Sequence, residues 1–191
     1  MLVKKEKTIL LLISDTHIPE RASEIDTRIV DHIKLSRYDI VVHAGDLTEE
    51  YVIDQIKHFG KHIYVVQGNM DYLDLPEEEV FDVYSIRFGV VHGDQVRPRG
   101  NIEALSTIAK RLGASILISG HTHYPFISLD STGILHINPG SVTGVWGGGG
   151  GTMLPSFIEL EVYSNGIIVV KLYELIEDKI ELKRVESYRF T

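Results

Sequence analysis

The 191-residue chain contains no cysteine. Disulfides are therefore impossible, and so is any metal site built on thiolates; a cation would have to sit on oxygen and nitrogen donors. Net positive charge is missing as well. The formal charge of -8 at pH 7 repels a phosphate backbone, so no stable nucleic-acid complex is expected. Small phosphorylated substrates stay open, because bound cations can invert the local field. Neither a Gly-x-Gly-x-x-Gly nor a Gly-x-x-x-x-Gly-Lys loop occurs, which leaves a plain nucleotide-binding α/β domain without its phosphate cradle. No apolar run is long enough to cross a bilayer, and no repeat recurs at solenoid spacing. The charged start, Met1 to Lys7, is followed by an apolar run too short for a secretory leader. A cytoplasmic protein with no membrane partner is the expectation.

What remains is an ordinary globular composition, 43% apolar and 24% charged, at a length that suits one domain over residues 1–191. Buried-looking strands are expected at Thr8 to Ile13, Asp39 to His43 and Ile63 to Gln67, with helices between them at Ile25 to Leu35 and Glu49 to Phe59. Helical spacing of Ile25, Ile29 and Ile33, and of Val52, Ile53 and Ile56, supports the helices; Gly60 reads as a stop. Strand alternating with helix implies parallel pairing with right-handed crossovers. After Pro76, the acidic stretch Glu77 to Glu79 reads as a solvated loop. Val80 to Ser85 and Arg87 to Val91 read as a strand pair. Asn101 to Leu112 follows as a helix with Asn101 as N-cap and Gly113 as its end. Ser115 to Ser119 and Ile134 to Ile137 are further short strands. The C-terminal part is β-rich: Phe157 to Tyr163 and Ile167 to Glu174 around Asn165-Gly166, the strongest hairpin signal in the chain, then Lys179 to Tyr188 as an edge. Its apolar strands make a homo-oligomer plausible. Gly147 to Gly151, with no side chains to pack, reads as a mobile spacer.

The chemistry-bearing residues collect where strands stop. Asp15 and His17 follow the first strand, Asp46 the second, Asn69 the third, His92 the fifth, and His121 and His123 the sixth. Ligands of open α/β sheets bind beyond the carboxyl ends of strands. Gly45, Gly68, Gly93 and Gly120 flank these positions, where backbone must turn sharply or approach closely. One such histidine is usually a hydrogen-bonded structural residue. Successive strand ends carrying ligand-type residues are a different matter, and convergence on metal ions is the reading. By contrast, His32, His58 and His62 sit at polar helix ends and read as surface residues, His43 as core or as support behind the ligands, and His136 as ambiguous.

In this order, Asp15-Thr16-His17, Gly45-Asp46, Gly68-Asn69-Met70-Asp71, His92-Gly93 and Gly120-His121-Thr122-His123 resemble the motif set of the calcineurin-like metallophosphoesterases. Asn138-Pro139-Gly140-Ser141 further resembles the small single-domain branch of bacterial and archaeal phosphodiesterases related to the retromer subunit fold. The resemblance implies a four-layer α/β/β/α sandwich with mixed sheets. It implies a phosphoesterase acting on small phosphate esters or nucleotides, diesters rather than monoesters, through a hydroxide bridging two divalent transition metal ions. Asp15, His17 and His123 would hold one ion and Asn69, His92 and His121 the other, with Asp46 shared; Asp46, Asn69 and His92 would be the catalytic core. Carboxylate, amide and imidazole donors suit manganese first, then nickel, cobalt, iron or zinc, better than magnesium or calcium.

Two positions depart from that pattern. Many family members have histidine where this chain has Met70, and a thioether cannot do acid–base work. Asp94 stands where the small branch often has histidine, and reads as a turn residue or as a partner orienting a ligand imidazole. Arg97 and Arg99 read as surface residues within reach of a substrate phosphate. The competing reading is a metal-binding scaffold of the same fold, catalytically weak or inactive, that works by docking proteins. Against it stands the full ligand set, costly to bury without a cation.

Overall fold

A computed structural model describes residues 6–190. It opens on β1 (Lys7–Ile13), whose alternate residues serve two different cores. Leu10 and Leu12 point between two sheets, while Leu11 and Ile13 point toward helices. A strand buried on both faces needs apolar residues throughout, which explains the unbroken run that ends at Ile13. Truncating any of these leucines to alanine is expected to cost about 2–5 kcal/mol.

The first half builds as strand, helix, strand. α1 (Thr27–Lys34) starts at Asp26, whose carboxylate accepts the Arg28 N–H; Ile25 precedes the helix and packs into the core. β2 (Tyr38–His43), α2 (Glu50–Ile56) and β3 (Gly60–Val65) follow. Gly60 stops the helical stretch, as its place in the sequence indicates, though without a left-handed turn. It is extended, after a single tight turn at Lys57–Phe59, and begins β3. β1, β2 and β3 pair in parallel, with Leu10 opposite Ile40 and Ile40 opposite His62.

The second sheet is built from β4 (Glu78–Val83), β5 (Ile86–Val91), β6 (Ile116–Ser119), β7 (Phe126–Leu129) and β8 (Leu135–Asn138), in the order β4-β5-β6-β8-β7. α3 (Ile102–Leu112) precedes β6, with Asn101 capping it and Gly113 ending it in a left-handed turn, as the sequence indicates. β9 (Ser156–Tyr163), β10 (Ile167–Ile176) and β11 (Lys179–Arg189) then return to the first sheet, whose order is β11-β10-β9-β1-β2-β3. The main core lies between the sheets. A second core lies under α1 and α2, and a third under α3. The layers are therefore α/β/β/α, with mixed sheets.

Two segments differ from the sequence reading. Glu78 and Glu79 are not in a loop: they begin β4, an edge strand, and Glu78 pairs with Arg111 of α3 at 2.5 Å. An edge strand tolerates such charges because one side of it faces water. β7 has no counterpart in the sequence pattern. At four residues it is too short for periodicity to register. It is held by the turn that follows, where Asp130 accepts the Thr132 and Ile134 N–H groups at 2.7 and 3.0 Å. The other Asp130 oxygen meets Ser106 and His136, and His136 lies 3.0 Å from Ser106. His136 is thus a buried tie between α3 and the β7–β8 hairpin.

Candidate metal centre

The loops after β1 and β2 stay zipped together past the ends of their strands. Asp15 N–H donates to the Gly45 carbonyl at 3.0 Å, His17 N–H to the Asp46 carbonyl at 3.0 Å, and Ile18 N–H to Leu47 at 3.2 Å. Asp15, His17 and Asp46 all have left-handed backbone, φ 52°, 49° and 60°; so do His121 and His123, φ 66° and 54°. This conformation is unfavourable for a residue with a side chain and persists only where surrounding structure enforces it. Its effect is to turn each chain back at the strand end and aim the side chain into one space.

The second sheet is tied to the same place. His121 N–H donates to both Asp15 carboxylate oxygens at 3.1 Å. Asn138 donates to the Gly120 carbonyl at 2.7 Å, and Ser141 Oγ to the Asp15 carbonyl at 2.8 Å. Asn138 to Ser141 therefore staples the loops after β1 and β6. Gly120 must lack a side chain: a Cβ would lie 2.6 Å from the Ala44 carbonyl oxygen.

Asp15, His17, Asp46 and His123 bring one ligand atom each to within 4.8 Å of one another, and all are buried. Asp46 is central. Its Oδ1 accepts the Met70 N–H at 2.8 Å, leaving Oδ2 at 3.3 Å from His17 Nε2 and 3.4 Å from His92 Nε2. The His92 and His121 rings lie 5.1 Å apart. A groove of about 440 Å³ opens above, walled by Asp46, Asn69, His121 and His123, with Arg21, Arg97 and Arg99 around it. Asn69 is exposed at this surface, whereas His92 lies beneath it.

The hydrogen bonds fix which nitrogens are free. A carbonyl can only accept, so His92 Nδ1 donates to Ala44 at 2.7 Å and His123 Nδ1 donates to Val145 at 2.8 Å. The Nε2 atoms of both then carry lone pairs in the neutral ring. His123 Nε2 faces Asp15 at 3.2 Å and His17 Nε2 at 3.2 Å. His92 Nε2 is buried and makes no hydrogen bond. Three imidazoles, His17, His92 and His123, and two carboxylates, Asp15 and Asp46, thus meet in one buried space, a donor set that fits a divalent metal ion.

Electrostatics agree with that fit. Burial holds His17 down to about 4. Burial, with the nearby His92 and Arg99, does the same for His121, also about 4. Both are neutral, as a ligand must be. Burial raises the carboxyls of Asp15 and Asp46, but facing imidazoles outweigh it and keep both below the usual range. His92 goes the other way. Burial disfavours its charge, but Asp46 and Asp15 together push it up to about 9. Among protein groups alone, His92 holds a proton where a cation would otherwise bind.

Residues 9–159 match the calcineurin-like phosphoesterase superfamily domain. The chain belongs to that superfamily. A probable metallophosphoesterase of Methanocaldococcus jannaschii is 45% identical over 132 residues, 69% of this chain and 67% of that protein. Among solved structures, vacuolar protein sorting 29 of Cryptosporidium parvum superposes with a TM-score of 0.90 at 26% identity, covering 96% of this chain and 99% of that one. The Entamoeba histolytica Vps29 complexed with zinc gives a TM-score of 0.85 at 30% identity, covering 96% and 100%.

Within this phosphoesterase fold, three contributors had no assigned role in the sequence reading. Asp71 accepts the backbone N–H groups of Asp46 and Gly68 through Oδ2, at 2.9 and 2.7 Å, and of Thr48 through Oδ1 at 2.7 Å. One carboxylate thus shapes the loops after both β2 and β3. The Ala44 carbonyl, which no side-chain pattern reveals, orients His92. Asp94 does not; it lies in a turn, where its carbonyl accepts from Arg97. The glycine run is the third. Gly147 and Gly151 pack against His123, and the segment is clipped by Arg21 to the Trp146 carbonyl at 2.9 Å and by Arg99 to the Gly147 carbonyl at 2.6 Å. The run is a strap over His123 of the candidate metal centre, not an untethered spacer. His43 is support behind the site, its Nε2 2.5 Å from Thr16 Oγ1. His58 and His62 are exposed, whereas His32 is half-buried beside Phe157 and Tyr173.

Proposed function

We propose that this chain is a phosphodiesterase working with two divalent cations, manganese being the first choice. Asp15, His17 and His123 would hold one ion, and Asn69, His92 and His121 the other, with Asp46 shared. The observation that carries this reading is the position of Asp46 Oδ2, 3.3 Å from an imidazole of the first set and 3.4 Å from an imidazole of the second. Such cations, when bound, supply Lewis acidity toward water and toward phosphate oxygens.

The chain's own groups prepare the site around that chemistry. Met70 N–H fixes the Asp46 carboxylate. Ala44 and Val145 fix the tautomers of His92 and His123. Arg21, Arg97 and Arg99 wall the groove and receive phosphate oxygens, with Arg99 anchored by its bonds to Gly147 and His121. Met70 also lines the groove, so no imidazole from that position reaches a leaving group. Diesters with acidic leaving groups, which depart without a proton, are the substrates this arrangement favours.

The test is turnover of a chromogenic aryl phosphodiester with manganese or nickel, run beside Asp46→Asn. Metal-stimulated hydrolysis that disappears in the variant is the expected result. The scaffold alternative draws support from the thioether at Met70. Tight metal binding without turnover on a panel of diesters is what it requires.

A further inference from the structure

Beside the metal groove lies a second cavity of about 280 Å³. Arg99 borders both, so the two spaces meet at one residue. The walls differ in kind. The groove is ringed by arginines and metal-site residues. The side cavity is walled by Tyr124, Phe126 and Thr122, together with Gly149 and Gly150 of the strap. No acidic residue lines it.

Tyr124 is held in place by its own turn: its N–H donates to Thr122 Oγ1 at 3.2 Å, and Thr122 Oγ1 donates to the Tyr124 carbonyl at 3.0 Å. The residue is 51% exposed although it directly follows the buried His123. Gly149 and Gly150 would meet nothing within 4 Å of an added Cβ, so the strap contributes open space at this point. Sites for whole small ligands run to roughly 300–1,000 Å³. The side cavity falls just below that range and suits one part of a ligand whose remainder lies in the 440 Å³ groove.

We infer that this cavity is a base subsite: with the phosphate in the metal groove, a nucleobase stacks on Tyr124 against Phe126 and the glycine strap. This rests on the phosphodiesterase reading and narrows its substrate class to nucleotide-derived esters. Phosphate anchored at Arg99, which borders both spaces, leaves the sugar to bridge to the ring. An aromatic platform with no matched donor–acceptor set accepts any base face, so little discrimination among bases is expected.

The test compares AMP with ribose 5-phosphate by titration calorimetry in the presence of manganese. The two carry the same phosphate and sugar and differ in the base. AMP is expected to bind about tenfold tighter, in line with the loss seen when one stacking aromatic is removed. Tyr124→Ala is expected to collapse that ratio and Tyr124→Phe to keep it. Equal affinities in the wild type, including no measurable binding of either, overturn the subsite, as does an equal loss of both ligands in Tyr124→Ala. If Tyr124→Ala does not fold, the wild-type ratio decides alone. Hydrolysis is scored separately. Diester turnover with equal affinities removes only the subsite, whereas a tenfold preference without turnover removes only the hydrolase reading.

Discussion

Gly147 sits so close to His123 that an added Cβ would come within 2.5 Å of the ring's Cδ2. The absence of a side chain at this point is a packing requirement of the candidate metal centre. Gly147→Ala is expected to push the imidazole or lift the strap, and the His123 bond to Val145 with it. Metal affinity should fall about tenfold, the scale of losing a partner behind a ligand, with little change in unfolding midpoint. Manganese titration beside thermal unfolding checks this. Gly149→Ala, where an added Cβ meets nothing within 4 Å but the φ of 120° strains the backbone, is the comparison for strap strain without contact to His123; equal metal affinity in both variants would count against the role of that contact.

Asp71 accepts N–H groups of Asp46, Thr48 and Gly68. In Asp71→Asn, the amide must turn its NH2 toward one of these donors. A buried donor left without an acceptor costs about 1–3 kcal/mol, and the Asp46 and Asn69 loops lose their common anchor. Urea unfolding should show a loss of that size, and the metal titration a weaker site. A variant as stable and as avid as wild type would remove Asp71 from the account.

The His92 proton sets a pH dependence with a definite sign. Asp46 and Asp15 hold that imidazolium up to about 9 against burial, so below this pH a proton must leave before Nε2 can bind an ion. Manganese affinity should therefore rise with pH, by up to tenfold per unit, and level off near pH 9. The same shift stabilises the metal-free fold below pH 6.5, the ordinary histidine value, and that stability fades as pH climbs through 9. Calorimetry in buffers of different ionisation enthalpy should detect about one proton released at pH 7. Affinity that is flat between pH 6 and 9 is the contrary outcome.

Met70→His restores an imidazole beside the groove. Its benefit should grow with leaving-group pKa: little for nitrophenyl esters, about tenfold or more for alkyl esters, the low end of what a positioned general acid contributes. A Brønsted series over aryl and alkyl diesters measures it. A uniform gain across the series would place the effect on phosphate binding instead.

Much of this arrangement is legible in the sequence because burial leaves a simple trace. β1 is covered on both faces, so its apolar run is continuous, and the polar residues that end it mark the rim of the sheet. The same logic marks Asp46, Asn69, His92 and His121. What escapes is carried by backbone. The Ala44 and Val145 carbonyls that set two tautomers have no side-chain signature. The glycine strap matters for atoms it lacks, so composition alone resembles a spacer. β7 is specified by the Asp130 turn and by Ser106 and His136 rather than by alternation. Asp71 reads as a turn former until the loops it joins are seen together.

The decisive observation is the anomalous diffraction of manganese-soaked crystals. Two ions per chain are expected, both ligated by Asp46, one also reached by His17 and His123 and the other by His92, His121 and Asn69. A single ion, or ions that leave Asp46 unligated, would contradict the shared-carboxylate centre.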